Sequence, residues 1–288
     1  MNLSKVLIVS HDAGGAFLLS KWCRDWASRL DFSFYLSGPA IDIFSEIFND
    51  LDVVEHVDWN EVTQVITSTG WQTEFEKQAI NAAKIKKLYV VSYLDHWANY
   101  RDRFEYLDSM VYPDEIWVAD NDAMSIAKNV FGESISKFRK IRNRHFFQIK
   151  SNIDQTSNKN NVLICLEPIR TNYSLSEAYK ELAQFLLERV DPNIDIVIRD
   201  HPSKTETNMD SLINMVSNHF NVAASENSLE QDLSDSKTVI GYQSSVLAYA
   251  VDLGIETYSF FPINKMEPIL PHTDITYIST LASQKVDI

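Results

Sequence analysis

The chain has 288 residues, 45% of them hydrophobic, with seven glycines and eight prolines. That is enough apolar material for a sizeable core and suits two domains better than one, and it excludes low-complexity or collagen-like character. A net charge of −14 excludes broad nucleic-acid binding, which needs a basic surface to neutralise phosphates, but leaves room for a local basic pocket.

In chain order, "LSKVLIVS" is a short apolar run that reads as a strand, followed by the polar, glycine-containing turn "HDAGG". A helical pattern, "AFLLSKWCRDWASRL", comes next, with apolar residues three and four apart. "FSFYLSG", "VTQVITST", "LYVVSYLD" and "DEIWVAD" read as further strands. "IDIFSEIFNDL", "TEFEKQAINAAKIKK" and "NDAMSIAKNVF" read as the helices between and after them. Ser151–Asn161, "SNIDQTSNKNN", is polar and turn-rich and reads as an interdomain linker. The alternation then restarts with strands "NVLICLE", "IDIVIRDHP", "SKTVIGYQ" and "ETYSFFP" and helices "LSEAYKELAQFLLERV", "MDSLINMVSNHF" and "SSVLAYAVDLG". The tail, 278–288, reads as a short helix or a frayed end. Strands and helices alternating at this spacing imply right-handed βαβ crossovers and parallel sheets. The expected fold is α/β, with two facing Rossmann-like domains, 1–150 and 151–288, and a cleft between them.

The two cysteines, Cys23 and Cys165, lie far apart in apolar surroundings and read as buried thiols of a reducing compartment. No signal-peptide pattern is seen, and no apolar run approaches the ~20 residues of a membrane span. The expectation is a cytoplasmic protein. Lys128–Lys150 is basic in an acidic chain and flanked by aromatics. A solvated charge run is one reading of it; a peripheral contact with the anionic inner face of a membrane is the other.

Ligands of open α/β sheets bind beyond the carboxyl ends of the strands, so those ends carry the candidate site residues. After the first strand come His11, Asp12, Gly14 and Gly15. The glycines would let a ligand approach the backbone, and Asp12 suits a base or a hydroxyl binder, its alternative being a helix cap. Gly70 ends the third strand. Asp95, His96, Trp97 and Arg101 or Arg103 follow "LYVVSYL", where aromatics beside hydrogen-bonding groups suit a sugar and an arginine suits a carboxylate. A salt-bridge network among buried aromatics is the alternative. Glu167 follows "NVLICL". Arg199, Asp200, His201 and Pro202 follow "IDIVI", the proline aiming the imidazole before it. Gln243, Ser244 and Ser245 stand where a strand turns into a helix, whose free N–H groups and partial positive charge suit phosphate. A helix cap is the bland reading of either serine.

His201-Pro202 and Ser244-Ser245 resemble the "HP" and "SS" motifs of bacterial GT-B glycosyltransferases of the sialyltransferase type and of related capsule and lipooligosaccharide enzymes. The resemblance covers the two-domain layout and about the last 100 residues by analogy. It implies that both motifs hold the nucleotide phosphate of a CMP-activated sugar, with Arg199, Gln243 and Glu167 on the donor side. On this reading the product is a sugar, such as a sialic-acid-like nonulosonic acid, moved to a glycan acceptor hydroxyl in surface-polysaccharide synthesis. The acceptor side would carry His11, Gly14, Gly70, Trp97 and Arg101. The base would be Asp12, or else Asp95 with His96, and no metal or other cofactor is expected. A CDP-glycerol-type transferase shares the motifs. A UDP-sugar 2-epimerase-like enzyme and a non-catalytic subunit of a capsule-assembly complex share the layout.

Overall fold

The computed structural model describes residues 5–157, 159–169, 173–201 and 207–281. The chain forms two compact units, Met1–Phe147 and Gln148–Ile288. Each is built on a six-stranded, all-parallel sheet.

In the first unit β1 (Lys5–Ser10), β2 (Asp31–Leu36), β3 (Gln64–Thr67) and β4 (Tyr89–Tyr93) alternate with α1 (Ala13–Trp26), α2 (Pro39–Ser45) and α3 (Phe75–Ile85). A two-stranded ribbon, β5 (Glu105–Tyr106) and β6 (Ser109–Met110), precedes β7 (Glu115–Val118), α4 (Asn121–Phe131) and β8 (Lys137–Lys140). The sheet order β2-β1-β3-β4-β7-β8 places β1 inside the sheet. Its Val6–Val9 run is therefore covered on both faces and fully buried, which is why it reads as a continuous apolar stretch. α1 turns Ala16, Leu19, Trp22 and Cys23 onto that sheet. α4 starts at Asp120, whose carboxylate accepts the Ala123 N–H at 2.6 Å, and stops at Gly132, where φ is 77°.

α5 (Arg144–Asn152) carries the chain into the second unit. There follow β9 (Asn161–Cys165), α6 (Leu175–Arg189), β10 (Asp195–Arg199), α7 (Met209–Val216), β11 (Val222–Ala224), α8 (Leu229–Asp235), β12 (Ser236–Gly241), α9 (Ser245–Asp252), β13 (Glu256–Ser259), β14 (Thr276–Tyr277) and α10 (Ile278–Leu281). The order β11-β10-β9-β12-β13-β14 reverses direction between β9 and β12, the pattern of a dinucleotide-binding sheet. Tyr179, Leu182 and Leu186 of α6 pack with Ile164, Ile198 and Phe260 in its core.

Several sequence expectations change. "HDAGG" is not an open loop, because Ala13, Gly14 and Gly15 form the first turn of α1. Within the polar stretch read as a linker, Asp154, Ser157 and Asn160 are hydrogen-bonded to the second unit. Asp154 N–H donates to Ser234 Oγ at 2.9 Å, Asn160 N–H donates to Asp235 O at 3.1 Å, and the Ser157 hydroxyl donates to Asp235. Strands β8, β11 and β14 are too short or too polar to have been read as strands. Among the described residues no helix is long and apolar enough to cross a membrane.

Candidate functional site

The sheet of the first unit changes direction between β1 and β3, and the residues just past those two strands interlock. Past β1, His11 Nδ1 lies 3.0 Å from Asp12 Oδ1. Asp12 stands at the N-cap position of α1 but its side chain caps nothing, which leaves the carboxylate for His11. A carboxylate has no proton to give, so Nδ1 is the donor in this pair, and Nε2 is the ring nitrogen left facing away from it. Room for the ring comes from Gly38, at φ 55°, where a Cβ would stand 2.7 Å from His11 Nε2. Both side chains are about one-quarter exposed, 25% and 27%, so the pair is open to a reactant.

Beneath the pair lies Glu76, fully buried in the first turn of α3. Its Oε1 accepts the His11 main-chain N–H at 2.9 Å and the Ser68 hydroxyl at 2.9 Å, and the Ser10 and Ser68 hydroxyls are 2.8 Å apart. Burial pushes the Glu76 carboxyl up, the negative charge of Asp12 adds to this, and the Ser68 and main-chain bonds pull the other way. A Cβ at position 70 would meet Asp12 Oδ2 at 2.9 Å and Glu76 Oε2 at 3.2 Å, so the glycine leaves a notch walled by the two carboxyls.

A second carboxylate arrives from β4. Asp95 pairs with Arg103 at 2.6 Å, both largely buried. Arg103 also donates to the Ala98, Thr69 and Thr69 Oγ1 oxygens at 2.9, 2.5 and 3.0 Å. The loop folds back through Asn99, whose φ of 54° is tolerated by an asparagine. Asp95 leans over α1: a Cβ on Gly14 would stand 2.2 Å from Asp95 Oδ2, and one on Gly15 2.4 Å from Ser68 Cβ. The two glycines thus admit the protein's own side chains.

His11, Asp12, Asp95, Gly14 and Gly70 are therefore brought together. His96 is half-buried with its ring against Trp97. Trp97 is no open stacking face: it is buried, and its indole N–H donates to Asp120 at 3.1 Å. Arg101 is exposed, and Arg103 is held by Asp95. Glu76 and Ser68 escaped the sequence reading because they lie within a helical run and at a strand end that show no charge pattern of their own.

In the second unit β9 is flanked by β10 and β12, so the ends that carry His201 and Ser244–Ser245 stand about 10 Å apart at ordinary strand spacing, with Glu167 between. Glu167 Oε1 accepts the main-chain N–H of Gln243. Burial pushes the Glu167 carboxyl up to about 7, against the pull of that N–H. Gln243 is buried and its side-chain oxygen accepts Ile269 N–H at 2.8 Å, so it braces the turn. Ser244 caps α9, its Oγ accepting Val246 N–H at 3.3 Å, and Ser245 opens the helix. Arg199 is committed elsewhere: its guanidinium pairs with the buried Asp232 at 2.7 Å and donates to Asn227 O at 2.8 Å. His201 is half-buried, its N–H on Asp200 Oδ1 at 2.8 Å. Pro202 lies outside the described residues. Among the described residues no group of three or more His, Cys, Asp or Glu could hold a metal ion.

The basic stretch 128–150 is divided among a helix end, an edge strand and α5, and much of it is paired. Lys128 meets Glu133 at 2.7 Å, Arg139 meets Glu115 at 2.8 Å, Arg144 meets Asp25 at 3.1 Å, and Arg142 lies 3.5 Å over the Phe147 ring.

Two Rossmann-type units, each with six parallel strands flanked by helices, make this a GT-B-like protein. No protein-family model matches the chain, and no curated protein matches it in sequence. Solved structures do share its fold. MnaA of S. aureus in complex with UDP aligns at a TM-score of 0.69 and 11% identity, over 99% of this chain and 88% of that one. UDP-GlcNAc 2-epimerase of Neisseria meningitidis bound to UDP-GlcNAc aligns at 0.63 and 15%, over 88% and 82%. A UDP-glucosyltransferase of Polygonum tinctorium aligns at 0.55 and 11%, over 91% and 81%. At such identities the likeness is one of fold.

Proposed function

We propose that the chain is an enzyme of nucleotide sugars, that the sugar is UDP-linked, and that the reaction is proton transfer at a sugar carbon, as in a 2-epimerase. The observation that carries this is the His11–Asp12 pair at the switch point of the first sheet. A histidine whose second nitrogen is held by a carboxylate is a base oriented for proton transfer, and inverting C2 in this way needs its proton to leave as the C1–O bond to UDP breaks and takes the electron pair, with both bonds then re-formed and the proton returned on the other face. His11 Nε2 is the acceptor, Asp12 orients it, and Asp95, fixed by Arg103, is the second acid–base group. In the second unit the start of α9, with Ser244, Ser245 and His201, would receive phosphate, and Glu167 would face the nucleoside. Solved 2-epimerases with UDP or UDP-GlcNAc share the fold, which supports a uridine nucleotide ahead of the cytidine donor expected from the motifs.

A second reading is glycosyl transfer, in which the same pair takes the proton of an acceptor hydroxyl. The fold shared with a UDP-glucosyltransferase favours it, and transfer of a CMP-linked nonulosonic acid to a surface glycan is its finer form. One experiment separates these. The protein is incubated with UDP-GlcNAc in D2O, deuterium at C2 is followed by NMR and free nucleotide by chromatography. Epimerisation gives deuterium at C2 with no need of an acceptor, and His11→Gln abolishes it while UDP binding persists. Nucleotide release that depends on an added acceptor supports transfer. No response to either uridine ligand, with stabilisation by CMP, overturns the uridine assignment.

A further inference from the structure

Glu76 is buried completely, and its carboxyl does not reach solvent. A buried carboxyl is costly unless its oxygens find partners. Here the partners belong to the site above it. One oxygen takes the main-chain N–H of His11 and the hydroxyl of Ser68, which itself rests on Ser10. The other faces the notch over Gly70, with the Thr73 hydroxyl at 3.5 Å. Two strand ends, β1 through Ser10 and His11 and β3 through Ser68, are thus tied to one helix by a single side chain.

We propose that Glu76 is the positioning residue of the His11–Asp12 pair, clamping the main chain at His11 from below so that the imidazole and the carboxylate meet in one geometry. Asp12 makes no helix cap, so nothing on α1 fixes its carboxylate. The aim of the pair depends on where the chain leaves β1, and that is the N–H which Glu76 holds. The charges that bear on Glu76 fit the role. Asp12 faces it from the β1–α1 turn, and Lys77 beside it on α3 is already paired with Glu74 at 3.0 Å. Burial and the nearby Asp12 both raise the affinity of the Glu76 carboxyl for a proton. Oε1 can accept the His11 N–H in either protonation state of the carboxyl.

The inference rests on His11 and Asp12 being the proton-handling pair, and its test includes a readout that needs no turnover. Long-range 15N–1H NMR of the histidine rings, with the His11 signals assigned by His11→Gln, reports which ring nitrogen carries hydrogen. The wild type is expected to show a single Nδ1–H form. Glu76→Gln keeps the acceptor and should retain that form. Glu76→Met fills the space without an acceptor, and Glu76→Asp keeps a carboxyl that falls short of His11 N–H. Both should show mixed tautomers, and the Asp variant serves where the Met variant does not fold. In turnover, Glu76→Asp should lose kcat by up to about 100-fold, as misplacement of a reacting group by ~1 Å does, with KM little changed and recovery in Glu76→Gln. A single Nδ1–H form in the Asp and Met variants overturns the proposal, as does its loss in Glu76→Gln. Failure of the wild type to turn over any nucleotide sugar, with the tautomer still dependent on Glu76, would sink the proposed reaction and leave the clamp standing.

Discussion

Replacing Glu167 by glutamine should stabilise the protein, and only at high pH. Glu167 is half-buried at the end of β9, and its carboxyl is pushed up to about 7 from an ordinary 4.5. A carboxyl whose affinity for the proton is raised by folding contributes its full stability below the unfolded value. That stability is lost as pH climbs through the folded value. The window here runs from about pH 4.5 to just above 7, and at ~1.4 kcal/mol per decade the loss amounts to at most about 3 kcal/mol. Glutamine never ionises, and its side-chain oxygen still accepts the Gln243 N–H, so Glu167→Gln escapes the loss. Thermal melts of both proteins from pH 5 to 8.5 are the assay. The curves should nearly coincide at pH 5 and separate by roughly 6–12 °C at pH 8.5, at about 2–4 °C per kcal/mol for a chain of this size. Curves that stay parallel across the range would refute the argument. A variant less stable at every pH would mean that the carboxylate, and not its burial, governs the turn into α9.

Two further substitutions test the other contacts. Gly14→Ala should destabilise by about 1–3 kcal/mol despite the better helix former, because its Cβ displaces Asp95 from Arg103; a melt unchanged from wild type would mean that Asp95 yields freely. Arg199→Met should cost about 3–5 kcal/mol by leaving Asp232 buried and unpaired, while UDP titration of the folded protein gives an unchanged Kd. Loss of UDP binding with stability intact would restore Arg199 to the ligand.

Much of the architecture was legible in the residues. Buried parallel strands must be apolar along their whole length, so "KVLIVS", "QVIT", "YVVSY" and "NVLIC" stand out, and the helices between them show their apolar stripe. What stayed hidden was whatever depends on neighbours across the sheet. β8, "KFRK", is an edge strand whose partner β7 defines it, and nothing in its polar sequence announces pairing. Gly14 and Gly15 read as an opening for a ligand because only the fold brings Asp95 and Ser68 against α1.

The sequence by itself determined two alternating α/β halves and put His11, Asp12, Asp95, Glu167, His201 and the paired serines at strand ends, because a strand's length and its first polar residue are local matters. Only the tertiary structure decided which of these meet. It gave Asp12 to His11 rather than to its own helix, Asp95 to Arg103, and Arg199 to Asp232. It also put Glu76, 65 residues away from His11, beneath the first strand end. Strand order decides such partnerships, and strand order is set by how whole elements bury their apolar faces together, which no short stretch of residues records.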